Sequence, residues 1–256
     1  MTKLATPISN LFKENEVARE IISCSDCLEI RDFSINFEGG KQEVFHCELQ
    51  PIHELTTEEF SYLKKIKDLK SELKLITFHC ASNYNKPINN ESGMSRGGGT
   101  RYSEKEMREN AKKNFSKIKE IFGDNIRIGV ENNNYYPTEA YKYVTESGFI
   151  ANIVYDNNLE FLFDIAHAKI TCHNKKIKFA DYKKGLPLNK IIQLHISHYG
   201  IGKYNLAYDV HEIPGPEEID EVKNLIKNFD IKYLTVECYK DKNNLINSLR
   251  EFKKII

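Results

Sequence analysis

Short apolar runs rich in β-branched residues recur along this chain, most of them separated by stretches with helical hydrophobic spacing. Strands are expected near Leu4–Ile8, Cys27–Arg31, Glu43–Cys47, Leu73–Cys80, Ile126–Glu131, Leu159–Asp164, Ile191–Ile196 and Tyr233–Cys238. Alternation of this kind predicts a parallel sheet with helical crossovers. Eight strands in 256 residues match one (β/α)8 barrel, which takes about 250 residues. The expected fold is therefore α/β, an irregular TIM barrel in which residues 1–256 form a single domain.

Helices are expected at Glu14–Ser23, Thr57–Lys70, Ser103–Phe122, Thr138–Ser147, Glu217–Asn228 and Lys242–Lys254. Thr56-Thr57 before Glu58-Glu59, and Ser103 before Glu104 and Glu106, are start signals, because acidic first turns complement the helix dipole. Two connections break the regular pattern. Asp32 to Lys41 is too short for a crossover helix, and Ala166 to Asn189 is expected to hold at most a short helix around Phe179–Lys184. Asn83 to Tyr102 reads as a long loop after the fourth strand, on the face where barrels carry their active sites. Its Gly97-Gly98-Gly99, flanked by Arg96 and Arg101, suits either a flexible segment or a phosphate-binding lid.

The chemistry collects where strands end. The third run ends at His46, the fourth at His79, the fifth at Glu131 and the sixth at Asp164, with His167 three residues on. The seventh ends at His195, with Asp209 and His211 in the loop that follows, and the eighth ends at Glu237. One such residue is ordinary, since a histidine can be structural and an aspartate can cap the next helix. Six consecutive strands with the same feature are not, because unpaired charge directly after apolar runs is costly to bury. In a closed barrel these ends share one rim. Imidazole and carboxylate donors together suit two or three divalent metal ions, zinc, iron or manganese. His198 is a candidate acid–base group, with Glu131 and Glu237 as further candidates for catalysis, whereas His53 and His173 read as ordinary loop residues.

Composition narrows the partners. The 37 basic and 37 acidic residues cancel and tryptophan is absent, a poor basis for DNA affinity, though Arg96, Arg101, Arg108 and Lys112-Lys113 could form a local patch. Neither a signal-peptide pattern nor an apolar run of membrane-spanning length is found, so a cytoplasmic enzyme is expected. The six cysteines, including the isolated Cys24-x-x-Cys27, read as reduced thiols.

The order Glu131, Asp164-Ile-Ala-His167, His195, Glu237 resembles the metal site of the xylose isomerase-like TIM-barrel superfamily, which includes sugar epimerases and endonuclease IV. Adding His46, His79, Asp209 and His211 reproduces the ligand order of the endonuclease IV trinuclear site. Residues Asp164 to His211, with Leu186-Pro187-Leu188, His195-Ile-Ser-His198 and Glu131-Asn132, resemble more closely the multinuclear non-haem iron-dependent oxidative enzymes of methanobactin-biosynthesis type. The chain departs from that branch at His167, where asparagine is usual, in its shortened second crossover and in its first strand.

That resemblance implies iron-dependent oxidative modification of a cysteine in a ribosomally made peptide, with a partner protein presenting the peptide. His46, His79, Glu131, Asp164, His167, His195, Asp209, His211 and Glu237 would hold the metals, and His198 or Tyr84 would move protons. Two alternatives stay open: zinc-dependent phosphodiester hydrolysis, and sugar isomerisation with Glu131 and Glu237 as the acid–base pair.

Overall fold

The structure, a computed structural model, describes residues 1–90 and 94–256. Its barrel strands are β1 (Lys3–Pro7), β2 (Cys27–Arg31), β3 (Val44–Cys47), β4 (Leu75–Phe78), β5 (Arg127–Glu131), β6 (Glu160–Asp164), β7 (Ile191–Ile196) and β8 (Tyr233–Val236). Each pairs in parallel with its neighbours in sequence, and β8 closes on β1 with Lys3 opposite Tyr233. All eight expected strands form: Cys27–Arg31 and Ile191–Ile196 keep their expected bounds, the first is shifted back by one residue and the other five are shorter.

The helices are α1 (Asn15–Cys24), α2 (Thr57–Leu69), α3 (Glu104–Phe122), α4 (Ser147–Asp156), α5 (Ile165–Lys175), α6 (Phe179–Lys184), α7 (Pro216–Asn228) and α8 (Lys242–Phe252). The start signals at α2 and α3 work as reciprocal caps. Thr56 accepts from the Glu59 amide while Glu59 reaches back to the Thr56 amide, and Ser103 and Glu106 do the same.

Two expectations fail here. The helix expected at Thr138–Ser147 is only a short 3-10 turn at Glu139–Tyr141, because Tyr143 takes φ 72°; the helix forms later, as α4. The stretch after Asp164 was expected to hold only one short helix, yet it holds α5 as well as α6. Buried Ile165, Ala166, Ala168, Ile170, Thr171 and Cys172 spread around α5, so one-sided helical periodicity is weak there. Asp32 to Lys41 has only a 3-10 turn at Asp32–Ser34, as expected.

In the long loop, Ile88–Asn89 pairs with Ser95–Arg96, and Gly97 lies against the Tyr84 ring; residues 91–93, which fall within that expected loop, lie outside the described residues. All six cysteines are free. Among the described residues, no helix is long and apolar enough to cross a membrane.

Strand alternation sorts the side chains into two populations. One face, including Phe45, Ile76, Phe78, Val130, Phe161, Phe163 and Leu234, packs into the main core with the helices. Each fully buried side chain of this kind contributes about 1.5–3 kcal/mol. The other face looks inward. Ala5, Cys27, Val44, Leu75, Ile192 and Tyr233 make a small separate apolar cluster. Two residues further along their strands come polar side chains, Glu29, His46, Thr77 and Thr235, and a further step reaches Arg31, His79 and Glu237.

Candidate metal centre

Strand register brings the inward polar residues to one level. Arg31 pairs with His46 across β2–β3, His46 with Thr77 across β3–β4, and Asp164 with His195 across β6–β7. His46, Glu131, Asp164, His195 and Glu237 are all at most 2% exposed. Gly129, two residues before Glu131, keeps this wall thin, since a Cβ there would meet Thr77 Cγ2 and the Glu160 carbonyl at 3.2 Å.

Among the described residues, three groups gather ligand atoms within 4.8 Å of one another: His46, His79 and Glu131; Glu131, Asp164 and His195; and Glu29, His195 and Glu237. Glu131 joins the first two. Its Oε2 lies 3.0 Å from His79 Nδ1 and 3.5 Å from His46 Nε2, and its Oε1 lies 3.4 Å from His195 Nδ1. Glu237 Oε2 is also 3.4 Å from His195 Nδ1.

His167, Asp209 and His211 form a looser string. His167 Nε2 is 3.2 Å from Asp209 Oδ2, which is 3.5 Å from His211 Nε2, and His211 Nε2 is 3.9 Å from Glu237 Oε2. Asp209 and His211 come from an antiparallel hairpin, His198–Ile201 with Ala207–Glu212, where a loop is expected from the sequence. His211 takes φ 47°, an uncommon conformation for a side-chain-bearing residue.

Asp164 has two tasks. Its Oδ1 accepts the His167 amide at 2.6 Å, capping α5, while Oδ2 faces His167 and His195 at 3.7 and 4.0 Å. Capping and site-building, weighed as alternatives from the sequence, coexist because a carboxylate has two oxygens.

His198 does not join this group. The chain leaves β7 at Ile196, and His198 opens the hairpin strand that follows, with its side chain 43% exposed, Nδ1 3.1 Å from Glu218 Oε2 and its ring stacked on Tyr199. Tyr84 packs with Tyr136, Tyr141 and their neighbours and lies under the Arg101 guanidinium. His53 is buried, with Nε2 2.8 Å from the Ser82 carbonyl, and His173 Nε2 meets the Asn205 carbonyl at 2.9 Å. Arg101 is paired with Glu139 and Arg108 with Asp156, each at 2.7 Å, so part of the anticipated basic patch is neutralised.

The residues that sequence reasoning missed are Glu29, Arg31, Thr77, Gln193 and Thr235, which lie beneath or beside the ligands. Glu29 had a signal, a charge between Leu28 and Ile30 in the middle of an apolar strand. Its Oε2 accepts His195 Nε2 at 2.8 Å, and Thr77 Oγ1 lies 2.8 Å from His46 Nδ1.

The electrostatics call for cations. Burial works against the charge on Glu131, but His167 and His46 outweigh it and hold the carboxyl well below the usual range. Burial likewise opposes the charge on Glu237, and His195 and Arg31 outweigh it. Burial, opposed by His167 and reinforced by Glu131, Glu237 and Asp209, pushes Asp164 up to about 7. Burial disfavours the charged form of His195 and His167, yet surrounding carboxylates raise both well above the ordinary imidazole value. His46 goes the other way, lowered by burial and by His79.

Hydrogen bonding sharpens the point. The Glu29 carboxylate and the Asn132 carbonyl can only accept, so they fix N–H groups on His195 Nε2 and on His167 Nδ1, the latter 3.0 Å from Asn132 O. In the neutral imidazoles, the opposite nitrogens then aim lone pairs at carboxylate oxygens. In the metal-free chain a second ring proton satisfies these contacts, and a divalent ion can take that proton's place, since this His and carboxylate donor set fits zinc, iron or manganese.

A closed parallel barrel with convergent His, Asp and Glu side chains at its strand ends is the arrangement of a metal-dependent TIM-barrel enzyme. Residues 101–255 match the family of the RiPP precursor modification enzyme MbnB/TglH/ChrH, and this chain belongs to that family. None of the curated proteins matches it in sequence.

Solved structures share the fold at low identity. The 3-keto-D-glucoside 4-epimerase YcjR from E. coli superposes with a TM-score of 0.66 at 14% identity, covering 99% of this chain and 100% of that one. The IOLI protein, with a zinc atom bound, gives 0.66 at 13% identity over 100% of this chain and 99% of its own. A xylose isomerase-like TIM barrel protein from Mycobacterium smegmatis in complex with magnesium gives 0.56 at 8% identity over 98% and 97%.

Proposed function

We propose that this chain is an iron-dependent enzyme that oxidatively modifies a cysteine of a ribosomally made peptide, with dioxygen as oxidant and a partner protein presenting the peptide. The observation that carries the reading is the Glu131 bridge: one carboxylate serves His46 and His79 with one oxygen and His195 with the other. A shared carboxylate between two histidine-bearing subsites suits a multinuclear centre, and the family's substrates are peptide precursors. Sugar epimerisation around one ion would leave His46 and His79 without a role.

His46, His79 and Glu131 would hold one ion, and Glu131, Asp164, His195 and Glu237 a second. His167, Asp209 and His211 would hold a third. Bound iron would supply the electrons and the places where thiolate and dioxygen meet. The chain supplies the surroundings. A groove of about 690 Å³, with Ile8, Leu11, Arg31, Phe33 and Tyr239 in its lining, opens beside the centre. Arg31 bonds Glu237, and the Tyr239 ring lies 4.9 Å from that of His211, so the groove's inner wall is also the outer wall of the centre. An apolar approach of this kind limits water around a reacting thiolate.

The test is elemental analysis of protein purified without air, followed by admission of air in the presence of a cysteine-containing precursor peptide. Two or three irons per chain and a mass change lost with a Cys→Ser peptide are expected. Zinc alone, with phosphodiester cleavage, or a single manganese with epimerase turnover, would overturn the reading.

A further inference from the structure

Glu29 and Arg31 are not among the strand-end ligands, yet they are densely hydrogen-bonded to them. Glu29 Oε2 receives His195 Nε2 at 2.8 Å, Gln193 Nε2 at 2.6 Å and Thr235 Oγ1 at 3.1 Å. Its Oε1 receives Arg31 Nε at 3.2 Å and Nη2 at 2.9 Å. The same Arg31 Nη2 bonds Glu237 Oε1, leaving Glu237 Oε2 facing His195 Nδ1 at 3.4 Å. Glu29 is 0% exposed, so among the described residues this charge is held by these five donors.

We propose that Glu29 and Arg31 are the positioning residues of the metal centre. Glu29 holds the hydrogen of His195 on Nε2 and so presents Nδ1 to the metal, while Arg31 occupies Glu237 Oε1 and so limits Glu237 to one metal-facing oxygen. The inference rests on the metal reading given above. A carboxylate behind a ligating histidine fixes its tautomer and raises its basicity. A guanidinium is a rigid planar fork, so Arg31 meets Glu29 through Nε and Nη2 and Glu237 through Nη2 in one fixed geometry, which a flexible lysine ammonium does not reproduce. The group Glu29, His195 and Glu237 thus looks like a ligand set but is spanned by an internal cation, Arg31.

The experiment is a cobalt(II) titration of the metal-stripped full chain, followed by visible absorption and by metal content after desalting. Glu29→Gln should weaken the cobalt held by His195 about 10–100-fold, the range for lost outer partners of metal ligands, while the His46–His79–Glu131 subsite still fills. Arg31→Lys should leave stoichiometry unchanged and shift the absorption band, because Glu237 Oε1 is released. If Glu29→Gln does not fold, Glu29→Asp, which keeps the charge but withdraws the carboxylate from His195, should show the same selective weakening.

Unchanged affinity and spectrum in folded variants would overturn the proposal, as would equal weakening of every subsite, which marks a merely structural role. Failure of the unsubstituted chain to bind any cobalt would instead sink the metal reading and this inference with it.

Discussion

The two halves of the candidate centre are built differently. His46, Glu131, Asp164, His195 and Glu237 stand on or directly after barrel strands, and their side chains are between 1% and 3% exposed. Asp209 and His211 stand on a hairpin, with side chains 17% and 25% exposed and His211 at positive φ. Strand register gathers ligand atoms of the first half in overlapping groups of three, each within 4.8 Å, whereas the second is a string of single contacts. A strand fixes its residues through ladder bonds on both sides; a two-stranded hairpin has few neighbours and opens more readily. The strand-held ions should therefore bind tightly, and the hairpin-held ion should be the one that varies.

Four tests break or sharpen this contrast. The largest effect belongs to Glu131→Gln, which removes the bridging charge and should cost about two ions per chain by elemental analysis, since both metals of a paired site share such a ligand. Full metal retention in a Glu131/Glu237 double variant would end the metal reading. Next, His46→Ala and His195→Ala should each cost about one ion, and a different one in each case. Loss of the whole centre in either variant would mean the subsites are not separable.

The third test is pH. In the metal-free chain, Asp164 is raised to about 7, and His195 and His167 are raised well above their usual value. Groups with raised folded pKa contribute stability at low pH and lose it as pH rises through that value. The metal-free melting temperature should therefore fall from about pH 4, the ordinary aspartate range, to about pH 7 on account of Asp164. The raised histidines should extend the fall above their ordinary value, while metal affinity climbs because ligands must shed protons. The lowered carboxyls, Glu131 and Glu237, act only below the ordinary carboxylate range. A metal-free melting temperature that rises across that window would contradict these assignments.

The smallest effect is His211→Ala, which should lower metal content by less than one ion. It should leave stability within about 0.5 kcal/mol, as for a partly exposed loop position, measured by thermal melting. If it emptied the strand-held subsites too, the contrast between the halves would be lost.

Much of this site was legible. His46, His79, Glu131, Asp164, His195 and Glu237 announce themselves because each follows an apolar run that can only be a strand, and parallel strands deliver their ends to one rim. The helix α5 was hidden, because its buried residues surround the helix rather than lining one side. His198 stands apart from the gathered ligands because the chain leaves β7 at Ile196 and His198 opens the hairpin, where it meets Glu218, a turn of the chain that a spacing of three does not reveal.

Local pattern, then, determines which segments are strands and which residues end them, since both follow from alternation and apolar runs within a few residues. Only the tertiary structure decides which nitrogen of His195 faces the centre and which oxygen of Glu237 is free. Those choices depend on Glu29, 166 residues from His195, and on Arg31, 206 residues from Glu237. No local pattern encodes a hydrogen bond across a barrel; it exists once closure brings β2 beside the ends of β7 and β8 and desolvation compels every buried charge to find a partner.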